Sequence, residues 1–579
     1  MTFLLLAHIV AALFAPLIMR IGRRGFLVLA LVPTVAFIWV VSHLPQVYAG
    51  EIPTETITWI PQLGLNFTFR LDVLSWVMAL LVSGVGALVL VYCSPYFARH
   101  AAALGRFGAV FVAFAGAMFG LVTTDNTIAL YVFWEATTVF SFLLIGHHHE
   151  RQASRRAAHQ AIILTTMGGL AMLAGLVMLA LVRGGSTSLA QLVASARAGT
   201  LAPDQPGILT ACIVLLLIGA ASKSALVPTH FWLPAAMAAP TPVSAYLHAA
   251  AMVKAGVYLV ARFAPAFAAT AIWQVLVLGL GLVTMIVGGY RALRQYDIKL
   301  LLAFGTISQL GMMIAIVGYG TPAMMLAGCA MIVAHALFKS ALFLTVGVID
   351  WSVGTRDLRE LSGLGRRLPL LATGAAIATA SMIGLPPFAG YVAKEAALGA
   401  LVDQVATGSV RDLAALTAFG LGSILTFAYG LRFYWGAFAR KPAVETPPGH
   451  AITPLIQTPP IFLASLALIG LVPGVVEAGL QPIAQIPAAN PLTTPGAPNR
   501  ELITGSGGLL SAPGHLTLWG GWTWPTVITG VIIVAGVALF VARSHVSAFQ
   551  RRVAFLPDPD HSFRRSEQAI ENFAATLTS

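Results

Sequence analysis

The sequence predicts an all-α, polytopic membrane protein with about 15 transmembrane helices, and three observations lead to this fold class. Hydrophobic residues make up 58% of the 579-residue chain, and charged residues only 9%. The mean hydropathy is +0.85. Apolar runs of about 20 residues, long enough to cross a bilayer as a helix, recur along the whole chain. This composition places the chain in a lipid bilayer and makes nucleic-acid binding a poor explanation of its basic isoelectric point.

Fifteen apolar runs form the predicted spans in chain order. The first run lacks the positively charged leader and the small-residue cleavage site of a signal peptide, so we expect it to be retained as a span. The runs lie at residues 2–19, 25–44, 72–97, 107–124, 126–147, 158–183, 207–228, 241–263, 269–291, 297–319, 322–350, 369–396, 412–437, 457–478 and 522–543.

Basic residues indicate the orientation of these spans. Six lysines and arginines fall on connections assigned to the outer face, five lie inside predicted spans, and the rest of the 33 fall on the opposite face. Lysine and arginine collect on cytoplasmic connections. We therefore predict that the N-terminus lies outside and the C-terminus in the cytoplasm.

The N-terminal and C-terminal parts of the chain contain three segments that are not predicted to cross the membrane. The N-terminal unit, 1–97, includes residues 54–70, whose alternating polar and apolar residues predict a small β-hairpin on the outer face. The C-terminal unit, 457–543, includes an outer connection, 479–521, that is rich in Pro, Gly and Ser and predicted to be irregular. The tail, 544–579, is predicted to form a cytoplasmic amphipathic helix or the start of a lateral helix. Its apolar face carries Phe563, Ile570, Phe573 and Leu577.

Two central units of five spans each contain a proline-broken helix at the same position. The first unit, 107–264, is broken near Pro228, and the second, 269–438, is broken near Pro386. Each break falls in the fourth helix of its unit. Because five is an odd number of helices, the second unit is inverted relative to the first. Broken helices at matching positions of inverted repeats indicate a transport site near the midplane of the bilayer.

A lysine lies deep in the seventh span, five positions before Pro228. At this depth Lys223 costs at least a few kcal/mol unless it is paired or hydrated. Its expected partner is Glu135, which has no charged neighbour in the fifth span. A direct pair at about 4 Å would interact by roughly 4 kcal/mol at an effective dielectric near 20. Movement of Glu135 would then release a proton; the alternative is a static ion pair that joins two helices.

Further titratable residues extend this pair into a row. His248 follows the first break, while His335 and Lys339 are four residues apart and share one face of the eleventh span. Lys394 follows the second break, and with Glu395 it is expected to end the row near the outer half of the membrane or a partner subunit. A purely structural role remains the alternative for the histidines.

Lys254, Lys299 and His230 are additional candidates for proton transfer. Lys254 lies six residues after His248, about 240° round a continuous helix, and is therefore expected to face elsewhere. Lys299 lies just inside the cytoplasmic end of its span, where it could instead extend its ammonium to the interface.

The remaining polar residues indicate no cofactor or metal site. The three cysteines fall in apolar runs and are predicted to be small buried residues. Three consecutive histidines, beginning at His147, are predicted to be solvated, and Asp72, Asp125 and Asp350 are predicted to cap helices or lie at the interface. The sequence contains no phosphate loop, haem or iron–sulfur ligand spacing, or catalytic pair, so we expect no redox chemistry and no enzyme activity of its own.

Four stretches resemble a known family of membrane proteins. They are similar to the antiporter-like subunits shared by respiratory complex I and the Mrp-type multisubunit Na+/H+ antiporters, and the resemblance extends over most of the chain, from about residue 60 to 440. The stretches are KSALVPTHFWLPAAMAAPTPVSAYLHAAAMVKAGVYLVARF, DIKLLLAFGTISQLGMM, HALFKSALFLTVGVIDWSVGTRD and PPFAGYVAKE. Within this superfamily, the lysine of MVKAG and the run GVIDWSVGTRD resemble the large A subunit of the Mrp antiporters.

The resemblance implies a role for each residue of the row. The proton-carrying groups would be Glu135, Lys223 and Lys394, with His248, His335 and Lys339 as connectors. It also implies small membrane subunits of the same complex as partners, H+ and Na+ as transported ions, and a prokaryotic plasma membrane as location. The large subunit of that family continues past its lateral helix, whereas this sequence stops at Ser579. We therefore expect either a shortened sequence or a separate chain that supplies the remainder.

Three other functions are open at this point. A redox-driven pump subunit, as in complex I or a membrane hydrogenase, would purify with flavin or iron–sulfur partners. A membrane subunit for inorganic-carbon uptake would purify with one soluble zinc-type partner. A structural scaffold would retain ion exchange after Lys223→Ala.

Overall fold

A computed structural model describes residues 1–60, 65–98, 101, 103–406, 408–450, 452–484 and 515–552. In these residues the chain forms 23 α-helices and one two-stranded sheet. The first twelve helices are α1 (Thr2–Ile18), α2 (Gly25–Ser42), α3 (Leu44–Tyr48), α4 (Val73–Tyr96), α5 (Leu104–Thr123), α6 (Thr127–Ile145), α7 (Gln152–Leu181), α8 (Leu189–Arg197), α9 (Pro206–Lys223), α10 (Trp232–Ala235), α11 (Thr241–Leu247) and α12 (Lys254–Phe267). The others are α13 (Ala271–Ala292), α14 (Ile298–Tyr319), α15 (Pro322–Val353), α16 (Leu364–Arg367), α17 (Pro369–Ile383), α18 (Ala389–Val405), α19 (Val410–Phe438), α20 (Pro454–Ser465), α21 (Pro473–Ala484), α22 (Trp524–Val541) and α23 (Arg543–Arg552).

The predicted membrane spans lie at the positions of the long apolar helices of the structure. Twelve stretches of the described chain are helical, long and apolar enough to cross a membrane, and the first of them, Thr2–Ser42, contains two predicted spans. These two are separated by a 3-10 turn, Met19–Arg24, in which Gly22 has a φ of 74°. Two other predicted spans, 241–263 and 369–396, are each broken into two helices. The all-α membrane fold is therefore confirmed, while the number of crossings and the inverted repeat remain predictions.

Helices α14 and α15 form the centre of the molecule. In the most apolar 18-residue stretch of each of these helices, 94% of the residues are buried inside the protein, compared with 11% in α22. An apolar helix that faces lipid needs no protein neighbour, whereas a helix enclosed by protein can carry polar groups. The enclosed helices α14 and α15 are therefore suited to carry titratable side chains.

The predicted hairpin is confirmed. Strands β1 (Thr54–Ile60) and β2 (Leu65–Arg70) pair antiparallel, with Thr54 opposite Arg70. The intervening residues lie outside the described part of the chain. Immediately after β2, Asp72 caps α4 by accepting a hydrogen bond from the backbone N–H of Ser75 at 3.0 Å, as predicted for an aspartate at a helix start.

Two predictions near the C-terminus have different outcomes. The outer connection was expected to be irregular from residue 479, but α21 continues to Ala484. Residues 485–514 of that connection lie outside the described residues. Of the tail predicted to be an amphipathic helix, 544–579, residues 544–552 are described and belong to α23, and the rest lie outside the described residues.

Candidate functional site

The first break in the helices follows Lys223, the last residue of α9. Two of the carbonyl groups at the end of α9 are bonded by the residues that follow the break. The N–H of Leu226 donates to Ala221 O at 2.9 Å, and the indole N–H of Trp232 donates to Ser222 O at 2.9 Å. This agrees with the expectation that a broken helix in a membrane protein needs protein or water to satisfy its backbone.

Lys223 is fully buried and bonded to helix α6. Its ammonium donates to the carbonyl oxygen of Trp134 at 2.9 Å and to the hydroxyl oxygen of Thr138 at 2.7 Å. The expected direct ion pair with Glu135 is wrong, because none forms within 4.0 Å in the described structure. Two neutral oxygens one helical turn apart take the place of the carboxylate.

Glu135 instead contacts α7. Its Oε2 accepts a hydrogen bond from the hydroxyl of Thr166 at 3.3 Å, while its Oε1 is buried and has no hydrogen-bond partner among the described residues. Gly169 lies so close to Oε1 that a side chain there would collide with the carboxylate. The absence of a side chain at this position therefore makes room for Glu135 between α6 and α7.

His248 lies at a second interruption that the sequence did not predict. Helix α11 ends at Leu247 and α12 begins at Lys254, so the predicted continuous span is wrong here. The freed carbonyl oxygen of Val253 accepts a hydrogen bond from the hydroxyl of Ser224 at 2.6 Å, and that of Ala249 accepts one from Lys254. Both ring nitrogens of His248 are buried, and neither has a hydrogen-bond partner in the described chain.

Lys254 meets His335 because of this interruption. Its Nζ lies 3.2 Å from Nδ1 of the His335 ring, and both residues are fully buried. The expectation that Lys254 faces away from the row assumed an unbroken helix from His248, and it is wrong for that reason. On the other side of the His335 ring, Nε2 is buried without a partner among the described residues.

Lys339 lies four residues after His335 on α15, beside Tyr429, which in turn contacts Gln309. The sequence patterns indicated neither Tyr429 nor Gln309. The Lys339 ammonium donates to Leu302 O at 3.3 Å and lies 5.8 Å from the centre of the Tyr429 ring. The Tyr429 hydroxyl accepts a hydrogen bond from the Gln309 side-chain amide at 3.3 Å. An amide in the middle of an apolar span was the signal that could have identified Gln309.

The second break lies between α17 and α18. Gly384 ends α17 with a φ of +84°, and a side chain there would press against the Lys394 side chain, so glycine is needed for both reasons. Lys394 donates to the Met382 carbonyl oxygen at 2.9 Å. The buried carboxylate of Glu395 accepts hydrogen bonds from the hydroxyls of Thr526 at 3.0 Å and Thr529 at 2.7 Å, both on α22.

Lys299 and His230 are buried at the predicted cytoplasmic end of the site. The ammonium of Lys299 points inward and donates to Met237 O at 2.9 Å and to Ala239 O at 2.6 Å. The alternative that Lys299 extends to the membrane interface is therefore wrong. His230 is 2% exposed, and its Nε2 lies 3.5 Å from Nη1 of Arg291.

Other predicted features lie away from the row. His147 is only 7% exposed and packs against the rings of Phe97 and Phe107, so the prediction that it is solvated is wrong. The cysteines are free and buried, as predicted. Among the described residues, no group of three His, Cys, Asp or Glu side chains could hold a metal ion.

The chain matches two family models. Residues 124–417, just over half of the chain, match the family described as NADH:quinone oxidoreductase/Mrp antiporter, TM. Residues 58–108 match the family described as NADH-Ubiquinone oxidoreductase (complex I), chain 5 N-terminus. The first of these segments includes the predicted row from Glu135 to Glu395.

Individual relatives are similar over most of this chain. The probable A/B subunit of a K+/H+ antiporter of Rhizobium meliloti is 38% identical over 89% of this chain and 49% of its own length. The A1 subunit of a Na+/H+ antiporter of Staphylococcus aureus is 35% identical over 98% of this chain and 71% of its own length. A chain in the structure of the Mrp complex from a Dietzia species aligns with a TM-score of 0.83 and 32% identity over 100% of this chain and 60% of that chain. This chain thus spans about half to 71% of the length of these relatives.

Proposed function

This chain belongs to the NADH:quinone oxidoreductase/Mrp antiporter transmembrane family, and we propose that it conducts protons as one component of a multisubunit Na+/H+ antiporter. The observation that carries this proposal is a row of six enclosed cationic or histidine side chains, each at most 6% exposed. Ionisable groups inside membrane helices are expensive and mark ion or proton pathways. The row comprises Lys223, His248, Lys254, His335, Lys339 and Lys394.

Proton transfer along the row requires neighbouring groups within hydrogen-bond reach, directly or through one water. Lys254 and His335 meet the direct requirement at 3.2 Å. Elsewhere, buried atoms of Glu135, His248 and His335 have no hydrogen-bond partner among the described residues. Buried polar atoms of this kind are usually satisfied by ordered water. We propose that water molecules link these groups into one path.

Glu135 and Lys223 are proposed to control the first transfer without touching each other. Lys223 is bonded to Trp134, the residue before Glu135, and not to Glu135 itself. The carboxylate would therefore act on the ammonium through space. In a low-dielectric site this attraction reaches beyond contact distance. A change in the position or charge of Glu135 would therefore alter how firmly Lys223 holds its proton.

We propose a pair of residues for each end of the path, because these residues are buried and bonded inside the protein. Lys299 and His230 would supply protons from the predicted cytoplasmic side. Lys394 and Glu395 would pass them to the opposite end, where Glu395 contacts the hydroxyls of α22. The chain itself would act as a transporter subunit without redox chemistry, in a prokaryotic plasma membrane with small membrane subunits as partners.

Exchange of K+ in place of Na+ is a second candidate. It is supported by the relative from Rhizobium meliloti, which is named as a probable component of a K+/H+ antiporter and is 38% identical to this chain. Exchange assays with each cation in turn would distinguish the two, because the proposed proton row is the same in both.

The proposal is tested with Glu135→Ala and Lys223→Ala in the assembled complex. In everted vesicles, each variant is expected to abolish cation exchange driven by a pH gradient while the complex still co-purifies. A matched control is Lys441→Ala, because this lysine lies in a connection and donates to Leu358 O outside the row. Exchange at the wild-type rate in both row variants would refute the proposal.

A further inference from the structure

A cavity of about 370 Å³ opens at the end of the helices that carries the β-hairpin. Its apolar lining includes Leu74 of α4 with Ala261 and Pro265 of α12. Three arginines line it, Arg70 from β2, Arg197 from the end of α8 and Arg262 from α12, so the cavity joins three elements that are distant in sequence. The site is separate from the proton row, because none of the proposed proton-transfer residues lines it.

One of the three guanidinium groups, that of Arg262, is held by hydrogen bonds to neighbouring side chains. Arg262 binds the carboxylate of Asp72, with Nη2 to Oδ1 at 3.1 Å, and also donates to the hydroxyls of Ser75 at 2.8 Å and Tyr258 at 3.0 Å. This network fixes Asp72 and leaves the carboxylate little capacity for a second partner. Arg70 forms a longer ion pair with Asp72, in which Nε lies 3.6 Å from Oδ2, beyond hydrogen-bond length.

The guanidinium groups of Arg70 and Arg197, which line the cavity, are not held by hydrogen bonds to other described residues as that of Arg262 is. The Nε atoms of Arg70, Arg197 and Arg262 are each buried without a hydrogen-bond partner in the described chain. Neither Arg70 nor Arg197 makes any side-chain hydrogen bond to another described residue. A buried charged donor without a hydrogen-bond partner is unfavourable, so a ligand that accepts these bonds would be stabilised here. Two carboxylates, Asp72 and the exposed Glu51, also line the cavity, so its cationic groups remain in excess.

We propose that this cavity binds a phosphate group, carried either by an anionic phospholipid of the adjacent leaflet or by free phosphate. A guanidinium offers parallel N–H donors in the geometry that phosphate oxygens accept, and such bonds are stronger than those between neutral groups. The apolar residues that line the cavity together with the arginines suit the glycerol and acyl part of a lipid. A bound phosphate would tie β2 and α8 to α12, the helix that also carries Lys254.

The test is a titration of the delipidated, purified complex that contains this chain, followed by its apparent melting temperature. Phosphatidylglycerol, phosphatidylcholine and inorganic phosphate are added separately. We expect saturable stabilisation by phosphatidylglycerol, and Arg197→Gln should weaken its apparent affinity by roughly ten-fold or more, the loss expected for one charge-assisted bond. Stabilisation by inorganic phosphate alone, with the same sensitivity to Arg197→Gln, would identify free phosphate as the ligand.

Two further variants make the titration decisive. Arg70→Gln removes a guanidinium from a different element and should give the same weakening, so the test does not depend on one variant assembling. Arg183→Gln is the matched control, since Arg183 lies on the same predicted face in an exposed ion pair with Asp204 at 3.2 Å, away from the cavity. The proposal is overturned if the cavity variants and the control respond alike, if phosphatidylcholine stabilises as well as phosphatidylglycerol, or if neither phosphatidylglycerol nor phosphate stabilises the complex.

Discussion

The ammonium nitrogen of Lys254 lies 3.2 Å from Nδ1 of His335, although the two residues are 81 positions apart in the sequence. Two positive charges at this distance repel by about 5 kcal/mol at an effective dielectric near 20. We therefore expect that the two groups are not both charged at the same time. A pair of this kind can accept a proton on one helix and release it from the other, which is the property that a relay requires.

Replacement of Lys254 by Gln should interrupt this relay. The amide keeps much of the side-chain volume but cannot carry a proton to His335, so we expect exchange in everted vesicles to fall by about ten-fold or more. Assembly is followed by co-purification. Lys441→Gln, which removes a lysine from a connection, should leave the rate unchanged. A wild-type rate for Lys254→Gln would remove Lys254 from the path.

Thr138→Val tests how Lys223 is held. The change removes the hydroxyl oxygen that lies 2.7 Å from the ammonium and leaves the size of the side chain almost unchanged. Losing this acceptor costs about 1–3 kcal/mol, so we expect exchange to be slower by about five-fold to one hundred-fold.

The matched control for this change is Thr137→Val. Thr137 is equally buried and donates to the same Trp134 carbonyl at 2.7 Å, but it does not bond to Lys223. Its exchange rate should stay close to that of the wild type. If both valine variants slow exchange equally, the effect comes from α6 in general and not from the bond to Lys223.

Gly169→Ala should displace Glu135. The added methyl group would occupy the position of the carboxylate oxygen Oε1, so Glu135 has to move or α6 and α7 have to separate. We expect exchange to fall by about ten-fold, with the complex still assembled. Gly279→Ala in α13 is the control, since a side chain there meets no atom within 4 Å. Equal rates in the two variants would show that the position of Glu135 is unimportant.

His147 should make stability depend on pH. Burial, together with the charges of His148 and Arg106, lowers the pKa of His147 to about 4. The unfolded chain, with a pKa of about 6.5, then binds more protons than the folded chain between these values. Stability should be complete above about pH 6.5 and should fall by about 2 kcal/mol as the pH drops toward 4, after allowance for solvent screening.

The apparent melting temperature of the complex, measured over this pH range, checks the His147 prediction. His147→Phe keeps an aromatic ring against Phe97 and Phe107 but cannot titrate, so it should lose part of the destabilisation at low pH. His149→Phe, at an exposed position, should keep the wild-type pH dependence. Identical pH profiles for the wild type and His147→Phe would contradict the prediction.

The sequence predicted those features that depend on local pattern. Apolar length predicted the spans, alternation predicted the hairpin, and proline marked the breaks near Pro228 and Pro386. The interruption between Leu247 and Lys254 has no such mark, since it is stabilised by the Ser224 hydroxyl, which comes from the preceding break. A contact between residues far apart in sequence leaves no local pattern, and for this reason the approach of Lys254 to His335 was missed.

Contacts of the charged residues were the least predictable part of the site. Lys223 was expected to bond to Glu135 because opposite charges attract. The structure satisfies it with the Trp134 carbonyl and the Thr138 hydroxyl, acceptors that every helix and every threonine can offer. Lys299 is likewise bonded to two backbone carbonyls. A sequence shows where charges are buried, but backbone acceptors carry no sequence signal.

A cryo-EM map of the assembled complex, at a resolution that shows ordered water, tests the central claim most directly. The account predicts water within about 2.7–3.2 Å of Glu135 Oε1, of both ring nitrogens of His248 and of Nε2 of His335, joined into one line through the protein. Apolar side chains packed against these atoms, with no water between Glu135 and Lys394, would contradict it.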